Sequence, residues 1–152
     1  MAKKRTELHD SQQWNIGSQK LEVRSQKLGI MLDKDTTIQC KTKQFAIRVV
    51  LAYTEIIKKS HYDDAAKVLA KQFLRSGTSL GANCKEAVSA QSKKDFIHKY
   101  EIALKEARET EYWIEIMIET KLIPEQKFAL LLKEIDSIIR ILVATIKSLK
   151  SN

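Results

Sequence analysis

Three histidines, two cysteines and one glycine-flanked motif are the parts of this sequence whose chemistry could support metal binding or catalysis. His9, His61 and His98 are widely separated, and none belongs to the Glu-x-x-His motif that di-metal helical bundles use. Cys40 and Cys84 lie far apart and match no zinc-ligand spacing. We therefore predict no metal site and two reduced thiols, with Cys84 packed as a small apolar residue.

The Gly-Thr-Ser-Leu-Gly motif at residues 77–81 does not have the pattern of a phosphate-binding loop. No lysine follows the second glycine at the required position, and no strand is expected before the motif. Ser76, Thr78 and Ser79 could act as nucleophiles, but nothing in the sequence marks a base beside them. The sequence therefore predicts a protein with no catalytic residues and no cofactor.

Basic residues outnumber acidic ones, 27 Lys and Arg against 19 Asp and Glu, so the net charge is +8 and the isoelectric point is near 9.5. This excess favours polyanionic partners such as RNA or DNA, although general basicity without a specific partner is an open alternative. The charge is uneven: residues 41–62 hold five Lys or Arg against one Glu, whereas residues 92–122 hold six against seven acidic residues.

The basic side chains of the first two helices could form a stripe that binds phosphates electrostatically and without sequence preference. The alternative is that they form an ordinary solvated helix face. The candidate nucleic-acid-binding residues are Lys41, Lys43, Arg48, Lys58, Lys59, Lys67, Lys71 and Arg75.

Apolar residues recur with helical spacing from about Lys41 to the end of the chain. Four such segments are separated by short polar links, and the chain contains only four Gly and one Pro, which disfavours a turn-rich β fold. We therefore predict an all-α, antiparallel up-down four-helix bundle with an N-terminal extension. The core stripes are Phe45, Val49, Ala52 and Ile56 in the first helix, and Phe128, Leu132, Ile135, Ile139, Leu142, Ile146 and Leu149 in the last.

Gly77 and Gly81 lie four residues apart on the apolar face of the second helix. Glycine inside a helix costs about 1 kcal/mol relative to alanine, and that cost can be offset where another helix packs closely over the pair. We predict one long helix with such packing. The alternative is a helix-turn-helix that breaks at residues 76–79.

Arg75 and Glu111 are polar residues in unexpected places. Arg75 immediately precedes the glycine-containing stretch, and Glu111 falls near the apolar stripe of the third helix. We predict that each is partly buried and paired with the other or with Arg108. The alternative is that Arg75 belongs to the phosphate-binding patch.

The first 40 residues have weak periodicity, and they predict a poorly structured basic extension over residues 1–40 before a bundle over residues 41–152. No apolar run approaches the roughly 18 residues of a membrane span, and the N-terminus lacks the apolar stretch of a secretory signal. We expect a cytoplasmic protein with no membrane partner. Surplus apolar residues on the first and last helices, such as Ile47, Leu51 and Val143, predict a second buried face and therefore a homo-oligomer.

An ordered series of residues resembles the bacterial four-helix-bundle proteins encoded in intervening sequences of large-subunit (23S) ribosomal RNA genes. The matching segments are 74–83 (LRSGTSLGAN), 86–87 (EA), 94–97 (KDFI) and 103–113 (ALKEARETEYW), and the resemblance covers about residues 41–150. It implies an up-down bundle, commonly assembled as a pentameric ring, without catalytic residues. The accessory variability proteins of diversity-generating retroelements share that fold; they are basic rings that work with a reverse transcriptase and its template RNA.

The net charge, the basic first helix and the resemblance together predict a non-enzymatic, oligomeric protein that binds RNA or assists an RNA-handling enzyme. The alternative is a protein–protein interaction module, for example an accessory subunit of a reverse transcriptase, whose charge serves solubility. A bundle enzyme or metalloprotein is a third hypothesis, which the scattered histidines disfavour.

Overall fold

Four α-helices follow one another along the described part of the chain. The structure is a computed structural model and describes residues 37–151. These residues contain no strand, and their helices are α1 (Ile38–Lys59), α2 (Asp64–Ala87), α3 (Lys93–Glu119) and α4 (Glu125–Ser151). The predicted all-α four-helix class is confirmed. Helix α1 begins slightly before the predicted Lys41, and the predicted N-terminal extension otherwise lies outside the described residues.

The first three helices each begin at a side chain that accepts a hydrogen bond from the first helical turn. The capping oxygens of Thr37, Asp63 and Ser92 accept from backbone N–H groups three residues further on, at 3.0–3.3 Å. Helix α4 begins directly after Pro124, whose ring favours a helix start and disfavours continuation of the helix before it. Between α3 and α4, Lys121 adopts a left-handed backbone conformation with φ of 58°.

Each helix packs against the next in sequence, and α1 also packs against α4, which closes a ring of four antiparallel neighbours. The core is formed by the apolar stripes that the periodicity predicts. Phe45, Val49, Ala52 and Ile56 of α1 are fully buried, as are Phe128, Ile135 and Leu142 of α4. The four seams are not equal: α2 and α3 pack most extensively, whereas α1 and α4 are the most loosely packed pair.

Helices α1 and α2 approach each other closely at the two glycines. A Cβ added to Gly77 would lie 2.8 Å from a methyl carbon of Val49, and one added to Gly81 would lie 3.3 Å from the carbonyl oxygen of Thr42. The helix runs through both glycines without a break, so the prediction of one long α2 under close packing is confirmed and the helix-turn-helix is wrong.

A pair of buried hydroxyls links α2 to α3 inside the core. Ser76 Oγ and Thr110 Oγ1 lie 2.9 Å apart, and both residues are inaccessible to solvent. Each hydroxyl also lies within hydrogen-bond distance of a carbonyl in its own helix, Gln72 O for Ser76 and Glu106 O for Thr110. The pair is therefore satisfied, as buried polar groups must be to avoid a desolvation cost.

Candidate polyanion-binding groove between the first and last helices

Of the predicted basic residues of α1, only Lys41, Arg48 and Lys59 share one side of the helix, since successive members are seven and eleven residues apart. Lys41 and Arg48 are seven residues, about two turns, apart and therefore lie on the same side of α1, the side that meets α4. Lys43 is two residues from Lys41 and so projects roughly 200° around the helix. The structure thus brings Lys41 and Arg48 together and separates Lys43 from them.

A groove lies between α1 and α4 where these helices pack loosely. It encloses about 370 Å³, and α1 contributes Cys40, Lys41, Gln44, Phe45 and Arg48 to its lining. Helix α4 contributes Lys133, Glu134, Ser137 and Ile138. Three cationic side chains therefore meet one carboxylate in a single concavity. Within residues 37–151, Lys41 and Lys133 form no ion pair.

The carboxylate of the groove is bonded to its arginine. Arg48 Nε donates to Glu134 Oε2 at 2.8 Å, and the two side chains are only 22% and 24% exposed. Burial raises the pKa of Glu134, while the charge of Arg48 and its hydrogen bond act in the opposite direction. The net rise means that the site stabilises the charged carboxylate less well than water does, despite the ion pair.

Helix packing fixes the positions of these groups. Phe45 is fully buried, Ile138 is 3% exposed, and both line the groove as well as belonging to the hydrophobic core. Phe45 and Arg48 are separated by three residues, and Glu134 and Ile138 by four, so each charged residue lies one turn from a buried anchor on its own helix. The apolar core therefore sets the depth and the direction of the charged side chains.

The remaining predicted lysines lie away from the groove. Lys58 Nζ lies 3.5 Å from Glu55 and Lys67 Nζ lies 3.4 Å from Asp64, both within one helix turn. Such pairs at the surface contribute little to stability. Lys71 is exposed on α2, and Lys59 is half-exposed at the C-terminal end of α1.

Arg75 lies on the opposite seam, between α2 and α3. Its guanidinium forms an ion pair and hydrogen bond with Glu109, and its Nη1 lies 3.8 Å from Glu106 Oε2. Trp113 Nε1 donates to the same Glu109 carboxylate at 3.2 Å. The hydrogen bond from Arg75 lowers the pKa of Glu109, and the reciprocal bond raises the pKa of Arg75.

The predicted pairing of Arg75 with Glu111 was wrong. Its partners are Glu109 and Glu106 rather than Glu111. Glu111 is partly buried, as predicted. Burial and the nearby charge of Glu115 raise its pKa, while the charge of Arg108, the other predicted partner, acts in the opposite direction. Arg75 itself is more exposed than predicted, with 54% of its side chain accessible, because its guanidinium reaches along the surface to α3.

The hydroxyls near the glycines have structural partners. Ser76 and Thr78 lie within hydrogen-bond distance of carbonyls one turn earlier in α2, the usual bonding of such residues inside a helix. Cys84 is buried, and its desolvation raises the pKa of its thiol to about 11; Cys40 is half-exposed and also free. Across residues 37–151, no three His, Cys, Asp or Glu side chains converge as a metal site would require, and no helix is long and apolar enough to cross a membrane.

The fold and the groove define a small basic four-helix bundle in which charged side chains line the seam between the first and last helices. Residues 34–144 match the profile of the 23S rRNA-intervening sequence protein family, and the chain belongs to this family. The match begins a few residues before the stretch on which the resemblance was recognised and ends somewhat earlier. None of the curated proteins compared with the chain matches it.

A solved structure supports the same assignment. The chain is 41% identical to a protein from Bacteroides thetaiotaomicron described as having unknown function and belonging to the S23 ribosomal protein family. The alignment covers 73% of this chain and 99% of that one, with a TM-score of 0.68. The shared region therefore spans essentially the whole of that relative, which is a protein of bundle size.

Sequence reasoning missed Lys133 and Glu134 as site residues. They lie in the last helix, where charged positions are scattered among the many apolar ones. A signal was present, since Lys133 lies outside the apolar stripe of α4 and Glu134 lies one turn before the core residue Ile138, at the edge of that stripe. Deciding which neighbouring helix they approach requires the three-dimensional arrangement.

Proposed function

We propose that the protein is a non-enzymatic RNA-binding protein of the bacterial cytoplasm that acts as a homo-oligomer, of the ring type that the family resemblance implies. The observation that carries the proposal is the groove between α1 and α4, where Lys41, Arg48 and Lys133 supply three positive charges against the single charge of Glu134. Phosphate backbones are bound by such cationic side chains. The net charge of +8 supports the same class of partner.

The groove supports RNA binding more directly than the exposed lysines do. A lysine on a convex helix surface attracts any anion weakly and loses side-chain entropy when it is fixed. In the groove, Arg48 is held by its bond to Glu134 and is largely desolvated, and Lys41 and Lys133 line the same concavity, so an anion there meets several cations at once. Affinity for phosphates should therefore depend on the groove residues more than on Lys58, Lys67 or Lys71.

Assembly is supported by apolar side chains on the outer face of α1. Ile47, Val50 and Leu51 are 39%, 44% and 38% exposed and follow the i, i+3, i+4 spacing that places them on one helix face. Contiguous apolar surface of this kind marks an interaction site in a soluble protein. Closed cyclic rings arise where such a face meets a different surface of the next copy.

A second candidate function rests on the same apolar face. Ile47, Val50 and Leu51 could dock a different polypeptide, which would make the protein an accessory subunit, for example of a reverse transcriptase, without direct contact to nucleic acid. The two candidates differ in what the groove cations do: they bind phosphates in the first and serve solubility in the second.

Binding of the purified protein to structured RNA, single-stranded DNA and duplex DNA at about 50 and 200 mM salt tests the proposal, since several phosphate contacts change affinity strongly over this range. A Lys41→Gln, Arg48→Gln, Lys133→Gln variant should lose roughly 100-fold or more in RNA affinity at low salt. The matched control is Lys93→Gln, Lys94→Gln, Lys105→Gln, which removes the same charge from exposed positions of α3. Equal losses in both variants, or no binding by the wild type, would exclude the groove as the RNA site.

Light scattering tests the assembly. Ile47→Glu with Leu51→Glu should dissociate the oligomer because two charges would be buried without partners. Val68→Glu, at a position of α2 that is 58% exposed, is the control and should leave the mass unchanged. A wild-type protein that is monomeric at micromolar concentration would refute the homo-oligomer.

A further inference from the structure

The groove is lined by three cationic side chains and one carboxylate. Glu134 bonds to Arg48 Nε, one of the five N–H donors of the guanidinium, while Lys41 and Lys133 line the same concavity. The carboxylate therefore occupies the position that an external anion would take beside Arg48. Neither lysine forms an ion pair within residues 37–151, so the groove holds more positive charge than its one carboxylate balances.

We propose that the groove binds a phosphodiester of single-stranded RNA, and that Glu134 is a built-in competitor which holds Arg48 in the free protein and is displaced by the phosphate. The inference rests on the proposed RNA-binding function and adds the position and the form of the bound strand. Glu134 thereby sets the affinity threshold of the site: polyanions that present a phosphate deep in the groove displace it, and weaker anions do not.

The depth of Arg48 favours a single strand. Its side chain is 22% exposed, and the groove encloses about 370 Å³ between two helices. The phosphates of a double helix lie on a stiff convex surface, whereas a flexible single strand can insert one backbone unit between the helices. Gln44 and Ser137 also line the groove and offer hydrogen-bonding groups for a sugar or base edge next to the phosphate.

Replacement of a carboxylate by a phosphate at Arg48 is chemically favourable. Guanidinium groups bind phosphate oxygens through two parallel charge-assisted bonds, whereas Glu134 receives a single bond from Nε. Burial also raises the pKa of Glu134, so this carboxylate gains from returning to water. Displacement therefore returns a poorly solvated carboxylate to water and places beside Arg48 an anion that can accept two parallel bonds, in a groove that Lys41 and Lys133 also line.

Glu134→Gln tests the competitor role, because it keeps the shape of the side chain and removes its charge. The control is Glu101→Gln, which makes the same change in net charge at an ion pair with Lys150 on the α3–α4 seam. Binding of a labelled oligouridylate and of a duplex RNA of equal length is measured from about 50 to 200 mM salt, and urea unfolding confirms that both variants fold.

Glu134→Gln should tighten oligouridylate binding by roughly tenfold relative to Glu101→Gln, with a smaller gain for the duplex. The log–log salt slope for the single strand should steepen by about 0.7, the value of one added phosphate contact. Equal affinities for the two variants would overturn the competitor role while leaving RNA binding intact. Loss of binding in wild type and Glu134→Gln alike would overturn the proposed function together with this inference.

A second pair of variants keeps the inference testable if Glu134→Gln is unstable. Lys133→Gln removes a groove cation, and Lys147→Gln removes the same charge from an exposed position of α4 about 21 Å further along the helix. The first should weaken oligouridylate binding at least fivefold more than the second, since Lys133 lines the groove beside Arg48 and Lys147 does not. Equal losses would place the phosphate outside the groove and refute the proposal.

Discussion

The seams α2–α3 and α1–α4 each hold an arginine bonded to a glutamate of the facing helix, yet the two surroundings are opposite. At Arg75, two carboxylates, Glu106 and Glu109, meet one guanidinium and the seam is tightly packed. At Arg48, one carboxylate is bonded to one guanidinium, two further lysines line the same concavity, and the seam leaves a groove. Negative charge exceeds positive at the first site and falls short at the second. The same ion-pair chemistry therefore joins two tightly packed helices in one place and lies in an open groove with an excess of cationic side chains in the other.

The two sites should differ most in how much stability the protein loses when the arginine is removed. Arg75→Ala leaves Glu106, whose Oε2 is buried without a hydrogen-bond partner in the described chain, and Glu109 without their cation. We expect a loss of about 2 kcal/mol in the free energy of unfolding, less than for a fully buried pair because Arg75 is half-exposed. Arg48→Ala should cost about 1 kcal/mol, since it leaves one partly buried carboxylate without a cation instead of two. Urea unfolding of the two variants measures this, and a larger loss for Arg48→Ala would reverse the comparison.

Removal of the arginine should weaken RNA binding more at Arg48 than at Arg75, the reverse of the order expected for stability. Arg48→Ala removes the deepest cation of the groove and should weaken oligouridylate binding by roughly tenfold at about 100 mM salt. Arg75→Ala should change affinity less than about twofold, because its guanidinium is held by two carboxylates. Fluorescence anisotropy with both variants provides the measurement. A similar loss in both would mean that the two sites act only through net charge.

Acidification should act on the two glutamates with opposite sign. The pKa of Glu109 is lowered by Arg75, so its contribution to stability is present above the unfolded value near 4.5 and is lost as pH falls through the lower folded value. The pKa of Glu134 is raised by burial, so its unfavourable contribution at neutral pH is relieved as pH falls through the raised folded value.

These opposite signs have a measurable consequence in glutamine variants. Any stability gap that favours wild type over Glu109→Gln should close below about pH 4. Any advantage of Glu134→Gln over wild type should be greatest at pH 7 and should disappear toward pH 4.5. Thermal unfolding across this pH range compares them, and parallel pH profiles for the two variants would contradict the assignment of opposite shifts.

The sequence predicts the helices and the core well because both depend on periodicity within one segment. The alternating steps from Phe128 onward place Ile135 and Leu142 in the core without knowledge of any partner. The long α2 through Gly77 and Gly81 is predictable for the same reason, since the apolar phase continues across both residues. The sequence of one helix is therefore enough to assign a residue to the hydrophobic core or to the surface.

The candidate groove is harder to predict from sequence. Its residues lie outside the core, and the sequence does not show which neighbouring helix each of them faces. Arg48 and Glu134 are 86 residues apart, and no local pattern relates them. For Arg75 the helical stripe marks the correct part of α3, but Glu109 and Glu111 are separated by roughly 200° around the helix, so a two-residue error selects the wrong partner. Pairings across a seam are decided by the rotation of each helix about its axis, which the core residues of both helices set together.

The groove lies at the seam between α1 and α4, the one pair of neighbouring helices in the described bundle that no short loop joins. Loops hold α1 to α2, α2 to α3 and α3 to α4, and the glycine contacts bring the backbones of α1 and α2 together as well. Local unfolding of the bundle should therefore begin with separation of its first and last helices, because these two are also the most loosely packed pair of neighbours. Hydrogen exchange should then be fastest on the groove side of α4, and an RNA strand bound between α1 and α4 would act as the missing fourth connection and slow that exchange.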